Sequence, residues 1–118
     1  MAAKLELESE HFLVCRISGE LTRAEMGSFQ AEAAPHAQAS GQMCFLAVME
    51  NFDGWSSEPG WEDASFTEEN DQYLKKFAIV GEEQWRDKAL MLALAGLRPV
   101  PIEFFNDEAA ARAWLAED

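Results

Sequence analysis

The residues best placed to do chemistry lie in one acid-rich segment, residues 50–71. It holds eight carboxylates and four aromatic side chains, Phe52, Trp55, Trp61 and Phe66. Carboxylates bind hard cations, and paired carboxylates act as general acid and base in glycoside hydrolysis. The ligand spacing of calcium-binding loops is absent from the segment, and exposed acids are far commoner than catalytic pairs. We therefore expect neither a metal site nor a catalytic carboxylate pair.

The same segment begins directly after a continuously apolar run, where we expect a strand to end and a loop to start. Ligands of α/β sheets bind at the carboxyl ends of strands. We interpret the segment as a recognition loop in which Trp55 and Trp61 wall a pocket or anchor a partner. The alternative is that the aromatic rings fill the core; we favour it for Phe52 and Phe66, and both interpretations stay open for Trp55 and Trp61. The candidate ligand- or partner-binding residues are Phe52, Asp53, Gly54, Trp55, Trp61 and Trp85.

The common catalytic motifs are missing from the sequence. There is no Gly-x-Ser-x-Gly elbow, no dinucleotide-binding glycine motif and no phosphate-binding loop. His11 falls in a predicted turn and His36 follows a proline, so we expect both to be solvated. Cys15 and Cys44 each lie within an apolar stretch, which is typical of buried reduced thiols. We expect no enzyme activity, no cofactor and no bound metal.

Charge narrows the partners of this 118-residue chain. It carries nine basic and 22 acidic residues, a net charge of −13, and residues 24–74 contain ten acids but no Lys or Arg. Such a balance excludes nucleic acid and anionic membranes and favours a cationic or apolar partner. The N-terminus lacks the pattern of a secretory signal, and the longest apolar run, residues 89–95, is too short to span a bilayer. We expect a cytoplasmic protein without membrane insertion.

Hydrophobic patterning predicts the elements that must position these residues. Strands are predicted over residues 5–8, 12–17, 43–49, 77–81 and 99–105. Helices are predicted from the N-cap Thr22, with Glu25 at capping-box spacing, to a stop set by Pro35 and Ser40-Gly41; over about 59–73; over about 83–95; and from a cap at Asn106 to Leu115. The order β-β-α-β-α-β-α-β-α predicts an α/β fold with a mostly parallel sheet, in a single domain over residues 1–118.

The predicted helix near residues 85–97 is apolar nearly all round. We favour burial of one face on the sheet and another under neighbouring helices. A partner surface, a homodimer contact and a lipid-lined pocket stay open as alternatives. Arg86, Lys88 and Arg98 flank this helix, and they would allow a self-complementary contact with the acidic segment of a second copy.

Four phrases together carry a family resemblance. They are Gly19-Glu20-Leu21-Thr22; Glu50-Asn51-Phe52-Asp53-Gly54-Trp55; Phe77-Ala78-Ile79-Val80-Gly81 with Trp85; and Glu103-Phe104-Phe105 followed by Ala113-Trp114-Leu115. In this order and spacing the chain resembles the SpoIIAA-like family of small bacterial proteins, related to the STAS domains of anti-sigma-factor antagonists. The resemblance implies a four-turn βα superhelix with an extra N-terminal strand and no enzymatic activity. The better-studied relatives are partner-switching regulators and lipid-binding SEC14-type domains.

The resemblance also implies a phosphorylation site. Anti-sigma antagonists carry a phosphorylatable Ser in an Asp-Ser-Ser-Gly type sequence after the third strand, where this chain has Ser56 and Ser57 behind Gly54 and Trp55. These two serines match the motif only loosely. Our sequence-based prediction is a regulatory protein-interaction module that binds a protein partner or forms a homodimer. The alternative is a carrier of a small apolar molecule or lipid with a Trp-walled pocket.

Overall fold

The computed structural model describes residues 3–57, 70–93, 95–96 and 98–117. In these ranges five strands form one sheet whose spatial order follows chain order. They are β1 (Ala3–Ser9), β2 (Phe12–Leu21), β3 (Met43–Trp55), β4 (Leu74–Val80) and β5 (Ile102–Phe105). The first pair is antiparallel and the other three pairs are parallel. The predicted α/β class, with an extra N-terminal strand at the edge of a mostly parallel sheet, is confirmed.

Three α-helices fall within the described ranges: α1 (Arg23–Ser40), α2 (Arg86–Leu92) and α3 (Glu108–Ala116). Short 3-10 turns, Asp71–Tyr73 and Glu83–Trp85, precede β4 and α2. The predicted helix over 59–73 lies outside the described residues except at its end, which is the first of these turns. The helix predicted over 83–95 is shorter than expected, because it begins as a 3-10 turn and is capped at Ala93.

Helix α1 begins where its sequence predicts and ends at the second of its two predicted limits, the Ser40-Gly41 pair, and not at Pro35. Thr22 Oγ1 accepts from the backbone N–H of Glu25 (3.2 Å), and Glu25 Oε1 accepts from that of Thr22 (3.0 Å). The helix continues through Pro35 and stops at Gly41, whose φ of 74° gives a left-handed cap. Ala33 and Ala37, on either side of Pro35, are 1% and 2% exposed. We infer that packing on the sheet offsets the hydrogen bond lost at the proline.

Two further boundaries differ from the prediction by a small shift. Asp107, not Asn106, caps α3: its Oδ2 accepts from the backbone N–H of Ala110 at 3.0 Å. Either side chain is a good N-cap, so the sequence alone does not choose between neighbours. Strand β5 starts at Ile102, because Pro99 and Pro101 precede it and cannot donate to a strand ladder.

Strands β2 and β3 both extend beyond their predicted ends. Residues 18–21 were expected to break β2, and residues 50–55 were expected to form a loop; both expectations are wrong. The two extensions pair with each other, with Gly19 opposite Phe52 and Leu21 opposite Trp55. The register shifts at Gly19, whose φ is 66°, and in β3 Asn51, which precedes the partner Phe52, also has a positive φ, 50°. The pairing therefore tolerates a bulge where the sequence resembles a turn.

The sheet separates two apolar clusters. The face that carries α1 and α2 is the larger and holds Leu13, Cys15, Ile17, Met43, Phe45, Ile79 and Phe104. The opposite face, under α3, holds Val14, Leu46, Val48, Ala78 and Val80 with Ala111 and Leu115. Neighbouring strand residues alternate between the two clusters, as they do in a sheet covered on both faces. In the ranges that the structure describes, no helix is long and apolar enough to cross a membrane.

A run of five alternating charges ties α3 to the sheet. Arg112 bonds Glu8 (2.9 Å) and Glu108 (2.8 Å), and Arg16 bonds Glu108 (3.1 Å) and Glu50 (2.9 Å). The Arg112 hydrogen bond lowers the pKa of Glu8, and hydrogen bonds from Arg16 and then Arg112 lower that of Glu108. The same bonds raise the pKa of both arginines. The run links β1, β2, β3 and α3 across the smaller core.

Candidate functional site

Three aromatic rings meet at the carboxyl ends of β2 and β3. We call Phe52, Trp55 and Trp85 the aromatic triad. Their rings meet edge to face, with centroids 4.8 Å apart for Phe52–Trp55, 5.3 Å for Phe52–Trp85 and 5.9 Å for Trp55–Trp85. Such geometry aligns the positive ring edge with the negative face of the next ring. The strand extension places the first two rings, and the 3-10 turn before α2 places the third.

Gly54 allows the third ring to lie close to β3. Its φ is 112°, a conformation that side chains rarely adopt, and a Cβ there would lie 3.4 Å from Trp85 Cη2. The ammonium of Lys88 sits 5.4 Å from the centroid of Trp55. Trp85 Nε1 is buried and has no hydrogen-bond acceptor among the residues that the structure describes. Residues from β3 and α2 therefore build this end of the site together.

An apolar pocket of about 140 Å³ opens between the sheet, α1 and α2. Its described wall combines residues of three strands with residues of both helices. From the strands come Ile17, Leu21, Phe45, Ala47, Met49, Phe52, Trp55, Leu74, Phe77 and Ile79. From α1, from α2 and from the segment after it come Met26, Phe29, Gln30, Ala89, Leu92, Ala93 and Arg98. Phe52 and Trp55 thus belong both to the aromatic triad and to the pocket wall.

Arg98 and Gln30 are the two polar residues of that described wall. Arg98 is 7% exposed at its side chain and binds Asp71, itself 12% exposed, at 2.6 Å. Its Nη1 also donates to the carbonyl of Ala93 at 2.9 Å, and the guanidinium lies 5.9 Å from the ring of Phe77. The polar end of the pocket is therefore an ion pair whose charges compensate each other.

The chemistry that this arrangement offers is apolar contact. No group of three metal-binding side chains converges in the described residues. His11 Nδ1 shares a hydrogen bond with Ser40 Oγ on the surface, away from the pocket. Both cysteines are free thiols; burial raises the pKa of Cys15 to about 12 and also raises that of Cys44. Cys15 lies in the core, so neither its exposure nor its protonation suits a nucleophile.

The structure brings four of the six candidate binding residues together. Phe52, Gly54, Trp55 and Trp85 form or support the aromatic triad, whereas Asp53 points to solvent. Trp61 lies outside the described residues. Phe52 is 5% exposed, so the core interpretation that we favoured for it agrees with its burial, and Trp55 is half-buried against the core.

The two candidate phosphorylation sites follow β3 directly. Ser56 is half-buried, and its backbone N–H donates to the carbonyl of Leu21 at 2.9 Å. Ser57 is exposed. Of the pair, Ser57 is the more exposed.

Sequence reasoning missed the polar end of the pocket. Arg98 was interpreted as one of three cations available to a second copy, but it is buried and paired with Asp71. Arg86 is paired with Glu83. A self-complementary contact would therefore not use Arg98, and no sequence signal placed Arg98 and Gln30 in the wall of one pocket.

Comparison with known proteins identifies what this geometry resembles. A family model described as SpoIIAA-like matches residues 12–116, and no curated protein matches the chain. An uncharacterised protein of SpoIIAA-like fold from Shewanella loihica shares 21% identity, over 98% of this chain and 93% of that one, with a TM-score of 0.72. The unphosphorylated anti-sigma factor antagonist SpoIIAA shares 14% identity, over 99% and 100% of the chains, with a TM-score of 0.65. Phosphorylated SpoIIAA from Bacillus shares 14% identity, over 95% of this chain and 99% of that one, with a TM-score of 0.54.

Proposed function

The chain belongs to the SpoIIAA-like family, and we propose that it is a non-enzymatic domain whose pocket between α1 and α2 holds a small apolar molecule. The observation that carries the proposal is the pocket of about 140 Å³ with its almost wholly apolar wall. The pocket opens to solvent, so its apolar wall is in contact with water when the pocket holds no ligand. A bound apolar molecule would remove that surface from water, at about 25 cal/mol per Å² of apolar area buried, and this supports a binding site.

A regulatory protein interaction is the second candidate. One structural neighbour is an anti-sigma factor antagonist, and the fold is shared over 99% of this chain. On this chain Met91 is 63% exposed on α2, and Leu7 is 44% exposed on the edge strand β1. We propose that a protein partner in the cytoplasm covers the α2 surface around Met91. We also propose that Ser57, after β3, is the residue open to phosphorylation.

Ligand binding is tested on the intact chain. Native mass spectrometry of protein purified from the cell should show a retained small molecule, and titration with toluene should show saturable binding by calorimetry. Trp55→Ala should weaken toluene binding at least fivefold, since it removes part of the wall. Trp114→Ala is the matched control, because Trp114 packs on Phe105 at the opposite face of the sheet and should leave the affinity unchanged. If neither toluene nor a retained molecule binds, the carrier proposal is wrong.

Self-association is tested by light scattering over micromolar concentrations and rising salt. A dimer that salt dissociates would support a charged contact between two copies. A monomer under every condition would remove the homodimer and leave a different protein as the partner. The variants Met91→Gln on α2 and Leu7→Gln on β1 then distinguish the two surfaces. Weaker association in Met91→Gln alone would place the contact on α2.

A further inference from the structure

We propose that the molecule held in the pocket carries one neutral hydrogen-bond acceptor, such as a ketone, ester or amide carbonyl, that meets Arg98. Its hydrocarbon part has about the size of a single aromatic ring. The inference rests on the proposed function of the pocket, and it names the chemical class of ligand that the wall selects.

Size sets the hydrocarbon part. The pocket measures about 140 Å³. An apolar protein cavity of about 150 Å³ takes benzene, and the two volumes are close. Phe29, Phe45 and Phe77 stand in contact along the wall, with centroid separations of 5.2 and 5.3 Å, and their edge-to-face packing leaves little room to expand. A long acyl chain is therefore a poor fit, and a ring or a short branched chain is a good one.

Hydrogen-bond accounting sets the acceptor. A guanidinium has five N–H donors. Nε and one Nη2 hydrogen of Arg98 go to Asp71, and one Nη1 hydrogen goes to the carbonyl of Ala93. One hydrogen on each Nη remains without an acceptor in the described structure, on a side chain that is 7% exposed and lines the pocket. Unused donors on a buried charged group favour a ligand that supplies an oxygen.

The ion pair already present in the pocket wall favours a neutral acceptor. Asp71 already compensates Arg98, at 2.6 Å and 12% exposure. A carboxylate ligand would add a second anion to a buried pair, and an unbalanced charge in such a place is costly. A carbonyl oxygen accepts the spare N–H without that cost. The side-chain amide of Gln30, which also lines the pocket, makes no hydrogen bond to the residues that the structure describes and offers a second polar contact.

The test compares three probes of nearly equal shape: ethylbenzene, acetophenone and benzoate. The quantity measured is the ratio of the acetophenone and ethylbenzene dissociation constants, by calorimetry, in wild type and in the double variant Arg98→Met/Asp71→Leu. Removing both charges together avoids an unpaired buried ion. A hydrogen bond to a charged donor contributes about 1.5 kcal/mol or more, so the ratio should rise in the variant by about tenfold.

A second measurement needs no variant. The infrared carbonyl stretch of acetophenone labelled with ¹³C at the carbonyl should shift to lower wavenumber in the wild-type complex than in an alkane solvent. If both probes bind but the stretch does not shift, or the ratio is the same in both proteins, this inference is overturned while the carrier proposal survives. Benzoate binding more tightly than acetophenone would overturn the neutral acceptor. If no probe binds, the carrier proposal itself fails.

Discussion

Arg98 and Asp71 form a bidentate ion pair that is almost completely buried. Nη2 lies 2.6 Å from Oδ1 and Nε lies 3.0 Å from Oδ2, with the side chains 7% and 12% exposed. The pair joins the segment after α2 to the 3-10 turn before β4, which are 27 residues apart in the chain. It therefore fixes one end of the pocket wall as well as supplying its polar atoms.

Breaking this pair from one side should be costly. Arg98→Met leaves the Asp71 carboxylate buried without its partner, and such changes cost about 3–5 kcal/mol. The double variant Arg98→Met/Asp71→Leu removes both charges, and its free energy of unfolding should lie within about 1 kcal/mol of that of wild type. Urea denaturation of the three proteins measures the difference. A single variant as stable as the double would show that the pair is solvated.

Gly54 should tolerate no side chain. Gly54→Ala forces a Cβ into a φ of 112° with Trp85 3.4 Å away, and a strained backbone of this kind costs about 1–3 kcal/mol. Gly27→Ala is the matched control: it lies within α1 with open space around its Cβ position, and it should stabilise the protein by about 0.5–1 kcal/mol. Urea denaturation of both variants checks the opposite signs. Equal effects would mean that Gly54 has no special conformation.

The fold was predictable because its local signals agree with its tertiary structure. The capping box at Thr22, the alternation in β1 and the apolar runs of β3 and β4 each specify one element without help from the rest of the chain. Alternating helices and strands then leave few topologies other than a parallel sheet. The family resemblance pointed to the same arrangement.

The predictions that were wrong concern segments whose structure depends on partners distant in the sequence. Residues 18–21 and 50–55 look like breaks because glycine and Asn disfavour strands, yet each extension supplies the ladder that the other lacks. The site followed the same rule. Trp55 and Trp85 were identifiable as aromatic residues near strand ends, but their contact and the pocket are set by packing. Arg98 looked like a surface cation because nothing in the sequence links it to Asp71.

The charge run on the α3 face should make stability fall in acid. The ion pairs lower the pKa of Glu8 and Glu108 from the ordinary 4.5, so their contribution is present above that pH and is lost as pH falls through the lowered values. Glu8→Gln should cost about 0.2–1 kcal/mol at neutral pH, and its difference from wild type should shrink as pH falls below 4.5 and close once the lowered pKa of Glu8 is passed. Thermal unfolding across pH 3–7 measures the convergence.

The control for that series is Glu10→Gln, which removes one exposed carboxylate from the turn after β1 without breaking an ion pair of the described structure. It should leave neutral-pH stability almost unchanged. Added salt should weaken the wild-type advantage over Glu8→Gln, because these side chains are about one-third exposed. A difference that stays unchanged as pH falls, over the whole range in which the protein is folded, would point to lost packing and not to lost charge.

The two thiols should react at very different rates. Burial raises the pKa of Cys15 to about 12, and the residue is 0% exposed, so at pH 8 almost none of this thiol is ionised or accessible. Cys44 is half-buried, with its Sγ 3.9 Å from the carbonyl of Leu115. Iodoacetamide followed by mass spectrometry should label Cys44 slowly and Cys15 only after unfolding. Cys44→Ser should abolish labelling of the native protein; rapid labelling of that variant would contradict the burial of Cys15.

Filling the pocket should weaken ligand binding and raise the stability of the ligand-free protein. Ala89 is 4% exposed on α2 and lines the pocket, so Ala89→Leu places three further carbons in the cavity. The filled cavity should raise the melting temperature of the ligand-free protein by a few degrees, at about 4–8 °C per kcal/mol for a domain near this size. It should also weaken toluene binding by about tenfold or more, since each 1.4 kcal/mol lost is a factor of ten. Ala110→Leu adds the same atoms to an exposed position on α3, and it should change neither quantity. Undiminished toluene binding in Ala89→Leu would place the ligand elsewhere, whatever happens to the melting temperature.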